Sequence, residues 1–185
     1  MPSLLLLVAA GCEEIEAVTI IDVCRRAGIE VVSAGLDSEV LPVKCSRGTL
    51  LVPDTVLDQA MGREFDMLVL PGGQPGTDNL RKDSRVKSLI QDMERKGRYL
   101  AAICAAPMVL AEAGVLSDKK ATSFPGCLSG LQMPDISLTE GPVVKDGRII
   151  TSCGPGTAIE FALELINVLI GREAKERVRR GLQIF

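Results

Sequence analysis

Histidine is absent from this chain of 185 residues, and its absence excludes more than any single residue present could assign. No Cys-His or Ser-His dyad can form within the chain, nor any metal site that depends on imidazole. Tryptophan is missing too, and aromatic residues make up only 3%, so the core must be packed from Val, Ile, Leu and Ala. No apolar run approaches the ~18 residues of a membrane-spanning helix. The opening MPSLLLLVAAG lacks a basic leader and its apolar run is short, which fits a first buried strand better than a signal peptide. Cys-X-X-Cys pairs are also lacking. Cys12 and Cys24, the closest of the six cysteines, are 12 residues apart. Four-thiolate zinc does not fit that spacing, and reduced thiols in a cytoplasmic protein are the expectation. Neither Gly-X-Gly-X-X-Gly nor Gly-Lys-Ser/Thr occurs, which argues against nucleotide binding. Net charge is −3, and the basic stretch GREAKERVRRG (171–181) is interrupted by acidic residues and carries no aromatic ones. A nucleic-acid partner is therefore not expected, and neither is a cofactor or a metal.

What is present is an alternation of short apolar runs with helical patterns. SLLLLVAA (3–10) reads as a strand. The helix after it carries Ala17, Ile20, Ile21, Cys24 and Ala27 at helical spacing and stops at Gly28. Further strands are predicted at 29–35, 65–71, 99–104 and 119–124, with helices at 55–61, 84–96 and from Pro107 to Ala113. Residues 40–45 and 49–53 read as a small hairpin. PVVKDGRIITS reads as another, turned at Lys145-Asp146-Gly147. A long helix closes the 154–171 stretch. Apolar strands alternating with helices predict one α/β sandwich spanning 1–185, with a mostly parallel sheet covered on both faces and small hairpin additions.

Ligands of such sheets bind beyond the carboxyl ends of the strands. Four loops there are distinctive: AGCEEIE (10–16), PGGQPGTDN (71–79), ICAAP (103–107) and CGPGT (153–157). Cys104 stands where a strand meets a helix, in a setting like a nucleophile elbow, and a helix N-terminus there favours a thiolate. The alternative is a small buried thiol packed beneath the loop. Glu16 lies one position before Ala17 on the inward stripe. Enclosed there it would hold a proton and exchange it with a neighbouring sulfur, whereas Glu13 and Glu14 read as helix caps. The plain reading of Glu16 is also a helix-end carboxylate. Pro71-Gly72-Gly73 can close backbone N–H groups on an oxyanion, or be only a tight turn. The helix opening at 154–160 can aim at an anion or simply be capped.

Together GCEEIEAVTIIDVCRRAG, LVLPGGQPGTDNL, AAICAAPMVLAEAGVL, KKATSFP and TSCGPGTAIEFALELINVLIG resemble the DJ-1/PfpI superfamily, in the DJ-1/ThiJ branch that includes bacterial DJ-1-like proteins. The resemblance runs from Leu4 to Gly171. It implies a flavodoxin-like three-layer α/β/α sandwich and a homodimer. It makes Cys104 the nucleophile, Glu16 its hydrogen-bonded carboxyl, and Gly73 and Ala105 the backbone donors, with Arg26 and Arg47 as basic residues near the site and dimer contact. It also implies glyoxalase III-like conversion of methylglyoxal, deglycation of early adducts on protein or nucleotide, and roles in oxidative stress and as a chaperone. Nucleic acid would enter only as a glycated substrate. One departure matters: several relatives carry a histidine in the stretch that reads TSFPG here, where Phe124 stands. Mechanisms needing a Cys-His pair, such as PfpI-like proteolysis or glutamine amidotransfer, are unavailable. Proton transfer falls to Glu16, with Cys127 or water as possible help.

The expected chemistry is attack of Cys104 on the aldehyde carbon of a small α-oxoaldehyde, with Gly73 and Ala105 holding the oxyanion and Glu16 moving the proton. A non-enzymatic redox-sensing or chaperone-like protein built on an oxidisable Cys104 is the rival expectation, and a structural module with an inert Cys104 is the third.

Overall fold

The computed structural model describes residues 1–184. In chain order the strands are β1 (Ser3–Val8), β2 (Glu30–Gly35), β3 (Val43–Lys44), β4 (Leu50–Leu51), β5 (Thr55–Val56), β6 (Met67–Leu70), β7 (Tyr99–Ile103), β8 (Lys120–Ala121), β9 (Ser137–Leu138), β10 (Val143–Asp146) and β11 (Ile149–Ser152). The helices are α1 (Glu14–Arg26), α2 (Leu57–Ala60), α3 (Gly76–Lys82), α4 (Ser84–Arg95), α5 (Pro107–Glu112), α6 (Cys127–Gly130), α7 (Ala158–Leu169) and α8 (Arg172–Gly181).

Seven strands form the main sheet in the order β10-β11-β7-β6-β1-β2-β5. Every pairing is parallel except β10 with β11, which closes one edge as an antiparallel hairpin. The remaining strands form two small ladders, β3 against β4 antiparallel and β8 against β9 parallel. This is the flavodoxin-like α/β/α arrangement.

The central strand shows why its sequence is apolar throughout. Leu5 and Leu7 face one core, with Leu68, Leu70, Leu100 and Ala102 from the sheet and Val86, Ile90 and Leu110 from helices. Leu4, Leu6 and Val8 face the other, with Ala17, Ile20 and Cys24 of α1 and Phe161 and Leu165 of α7. Both faces are buried, so no polar alternation is tolerated. Each fully buried leucine contributes roughly 1.5–3 kcal/mol relative to exposure.

Several elements differ from expectation. The segment 55–61 divides: β-branched Thr55-Val56 extends the sheet edge beside Ala34 and Gly35, and only Leu57–Ala60 is helical. Within 119–124 only Lys120–Ala121 is extended, and it pairs outside the main sheet. Helix α3 begins inside the Gly- and Pro-rich stretch that reads as a loop. The basic stretch at 171–181 is a helix anchored by buried Ala174 and Val178, four residues apart on one face. Asp146 pairs with Ile149, so the hairpin turns at Gly147-Arg148 instead, with Gly147 at φ 59°. Among the described residues no helix is long and apolar enough to cross a membrane.

In the spatial order β11-β7-β6-β1, the carboxyl ends Ser152, Ile103, Leu70 and Val8 are neighbours. The four distinctive loops therefore meet on one edge.

Candidate active site

Cys104 leaves β7 at φ 63°, in the left-handed region, which costs a non-glycine residue about 1–3 kcal/mol. Its N–H continues the ladder to the Ser152 carbonyl at 2.9 Å, and its own carbonyl accepts from Phe124 N at 2.8 Å. The backbone is thus held on both sides while the side chain is turned out of strand register. Gly72 makes room for it, since a Cβ on Gly72 would lie 2.7 Å from Cys104 Cβ.

Glu16 comes from the first turn of α1 and is completely buried. Glu13 caps that helix, its Oε2 accepting from Glu16 N at 2.9 Å, which fixes the turn that carries the carboxyl. Glu16 Oε2 accepts the Gly72 N–H at 2.7 Å. Its Oε1 has no partner of full hydrogen-bond geometry, so the contact with the Cys104 thiol is a loose one. Burial pushes the carboxyl up to about 7, opposed by the bonds from Gly72 and Cys104 and reinforced by the nearby Glu13 charge.

The sulfur lies between opposing influences. Burial, then the Glu16 charge and the hydrogen bond with it, push the Cys104 thiol up, while the N–H groups of Ala105 and Gly73 pull it down. Burial and the carboxylate win, to about 12. Little help to a thiolate comes from the helix that follows. Helix α5 has only six residues and starts at Pro107, three positions beyond the sulfur, so its dipole is weak at that point. Glu16 and Cys104 thus form a buried, coupled acid pair, both raised first by burial. The N–H groups of Gly73 and Ala105 face the sulfur.

The loops interlock through glycine. Gly73 has φ 89°, and a methyl group there would run into Glu13 N and the Cys12 carbonyl carbon. Gly76 packs its Cα against Cys12 and Gly11 in the same way. Gly73→Ala is expected to cost ~3 kcal/mol or more, combining strained backbone with overpacking. Urea titration checks this, and a midpoint equal to wild type would show that the loops can separate freely.

The basic residues separate. Arg47 is exposed on the β3–β4 turn, and its N–H donates to Glu14 Oε1 and Oε2 at 3.1 Å, which places it over the start of α1. Arg26 lies at the other end of α1, about 15 Å along the helix from Glu16, and pairs with Asp22 at 3.0 Å. A single chain does not bring Arg26 to the site. Cys127 packs with the core on the face of the sheet opposite α1, away from Glu16. Two participants escaped the sequence reading. Gly72, not Gly73, holds Glu16, a distinction that a Gly-Gly pair does not reveal. Phe124, half exposed, bonds Cys104 through its backbone, for which its side chain carries no signal.

The chain is 45% identical to Drosophila melanogaster protein dj-1beta over 98% of its own length and 97% of that protein's. It is 36% identical to the Caenorhabditis elegans glutathione-independent glyoxalase DJR-1.2, over 97% of this chain and 95% of that one. The crystal structure of Drosophila DJ-1beta superimposes with a TM-score of 0.94 at 44% identity, covering 100% of this chain and 98% of the other. Residues 2–168 match the DJ-1/PfpI family, and with Cys104, Glu16 and the Gly72-Gly73 turn gathered on one sheet edge, the chain belongs to that family.

Proposed function

We propose that the protein is a cofactor-independent glyoxalase III-like enzyme acting on methylglyoxal or related α-oxoaldehydes and on their early glycation adducts. The observation that carries this reading is the enclosed Glu16 carboxyl beside Cys104, with Gly73 and Ala105 N–H groups at the sulfur. The relative named as a glutathione-independent glyoxalase supports it.

The chemistry follows from the parts. Glu16 accepts the thiol proton as sulfur bonds to the aldehyde carbon and the carbonyl electrons move onto oxygen, then returns that proton to the oxygen to give a hemithioacetal, which leaves the carboxylate free again. Gly73 and Ala105 N–H groups hold that oxygen while its charge develops. Glu16 then moves a proton from the first carbon to the second through an enediol, which leaves the thioester of a 2-hydroxy acid. Water cleaves the thioester and regenerates the thiol. The two carbons exchange oxidation level internally, so no cofactor is needed. The decisive assay follows lactate formed from methylglyoxal beside a buffer control for free aldehyde, then repeats it with purified glycated adducts. Absence of lactate above the control would overturn the proposal.

The same donors favour a second reading, in which Cys104 is a redox sensor, because Gly73, Ala105 and a protonated Glu16 can all bond the oxygens of a sulfinate. Oxidation-dependent partner binding without turnover would select it.

We further propose a homodimer. Ile15 and Val18 project 57% and 48% exposed from α1, beside Leu50 (65%) and Val52 (62%) of the adjoining hairpin, which Glu14 ties to the helix. Such a patch suits a second copy. Sedimentation at micromolar concentration is expected to show twice the 19.7 kDa of one chain, and a purely monomeric boundary would refute it.

A further inference from the structure

Away from Cys104, two other thiols touch. Cys12 Sγ and Cys45 Sγ lie 3.7 Å apart, and the residues are only 1% and 4% exposed. Nothing in the proposed reaction uses them. They are brought together by backbone, not by chance packing of long side chains. Gly11 N donates to the Lys44 carbonyl at 2.8 Å and Ser46 N to the Cys12 carbonyl at 2.8 Å, so the two loops are bonded on either side of the pair. Glu14 adds bonds from Ser46 Oγ and Arg47 N, which clamps the hairpin onto the start of α1.

The surroundings narrow what such a pair can bind. Among the described residues no group of three or more His, Cys, Asp or Glu is placed to hold a metal ion, so cations that require three or four protein donors find no site. Both thiols are held in the protonated form, first by burial. The charges of Glu14 and Glu13 act in the same direction on each. A ligand that first needs two thiolates is disfavoured. A neutral molecule that condenses with two thiols and leaves no new charge is favoured.

We propose that Cys12 and Cys45 form a dithiol site for a neutral, thiophilic trivalent metalloid acid, of which arsenous acid is the simplest example. The step balances without an oxidant: As(OH)3 and two thiols give a bis(thiolato) arsenic hydroxide and two waters. Two S–H and two As–O bonds break, two As–S bonds form, and each thiol proton leaves on a departing hydroxyl. The acid is small and uncharged, which suits entry to a pair this deeply buried. Once the first As–S bond forms, the second thiol is already in contact, so closure is intramolecular. Retention is expected to exceed that of one thiol about 100-fold or more.

The test uses the full-length reduced protein, freed of reductant and incubated with arsenous acid in excess glutathione as a monothiol competitor. Arsenic per chain is measured by elemental analysis and native mass after gel filtration. Wild type and Cys104→Ser are each expected to retain one arsenic, and dithiothreitol to remove it. Cys12→Ala and Cys45→Ala are expected to retain about 100-fold less. Because either variant could be perturbed in its fold, circular dichroism accompanies each. The wild type also supplies an independent readout: arsenous acid should raise its melting temperature, since it binds the preorganised folded pair more tightly than the separated thiols of the unfolded chain. Wild type that retains no arsenic and shows no thermal shift would overturn the proposal. So would a folded Cys12→Ala protein that retains it fully, or retention that disappears with Cys104.

Discussion

Cys104→Ser is expected to lower kcat/KM for methylglyoxal at least ~10³-fold, to the level of the buffer control. A serine hydroxyl fits the same space, so the left-handed turn, the bond to Ser152 and the donors at Gly73 and Ala105 persist. What is lost is nucleophilicity. Glu16, near 7, draws a proton from a thiol only as attack proceeds, and a hydroxyl is a far weaker acid than a thiol. Cys24→Ser and Cys45→Ser should keep most activity, since both sulfurs are buried away from the Glu16 carboxyl. Steady-state lactate formation decides the matter, with a melting curve to confirm folding. Wild-type kcat/KM in Cys104→Ser would remove the nucleophile from its role.

Glu16→Gln should separate catalysis from stability in opposite directions. Glutamine can accept the Gly72 N–H but cannot take or return a proton, so turnover is expected to fall at least ~10²-fold. Stability moves the other way. The folded carboxyl is raised from 4.5 to about 7, so between those values the folded protein binds more proton than the unfolded chain. Unfolding free energy from this group therefore falls as pH climbs through that window, and the loss is complete above about 7. The wild-type protein at pH 8 carries a cost of up to about 3 kcal/mol that the amide does not. Glu16→Gln should accordingly be more stable than wild type at pH 8, with the difference vanishing by about pH 4.5. Urea midpoints across that range test it, and parallel stability curves would mean that the carboxyl is not held up by burial.

Much of this arrangement is legible in the sequence because it depends on chain order and backbone chemistry. Four loops following four buried strands must share an edge in a parallel sheet, so Cys104, Glu16 and the Gly72-Gly73 turn meet. Inward placement of Glu16 follows from helical spacing to Ala17 and Ile20. The extent to which burial raises Glu16 and Cys104 was not legible, because it depends on how completely the loops close over them. The helix that would favour a thiolate is short and begins three residues beyond the sulfur. The Thr55-Val56 strand and α3 were missed for another reason: short segments take their conformation from neighbouring strands and loops more than from their own residues. Arg26 was assigned from resemblance, and one chain places it at the wrong end of α1. Contact between Cys12 and Cys45 depends on a hairpin register that spacing does not encode.

The second core has a consequence for how the protein is made. Ala17, Ile20 and Cys24 of α1 wait for Phe161 and Leu165 of α7, more than 130 residues later in synthesis. During elongation the chain can lay β1 against β2 and β6 and α1 over part of one face, yet the rest of that face lacks α7 until the final fifth emerges. A ribosome paused between β11 and α7 would therefore leave open the aliphatic stripe that α7 covers beside α1, so the time spent in translation of that last stretch sets the window in which the nascent chain is most exposed to aggregation.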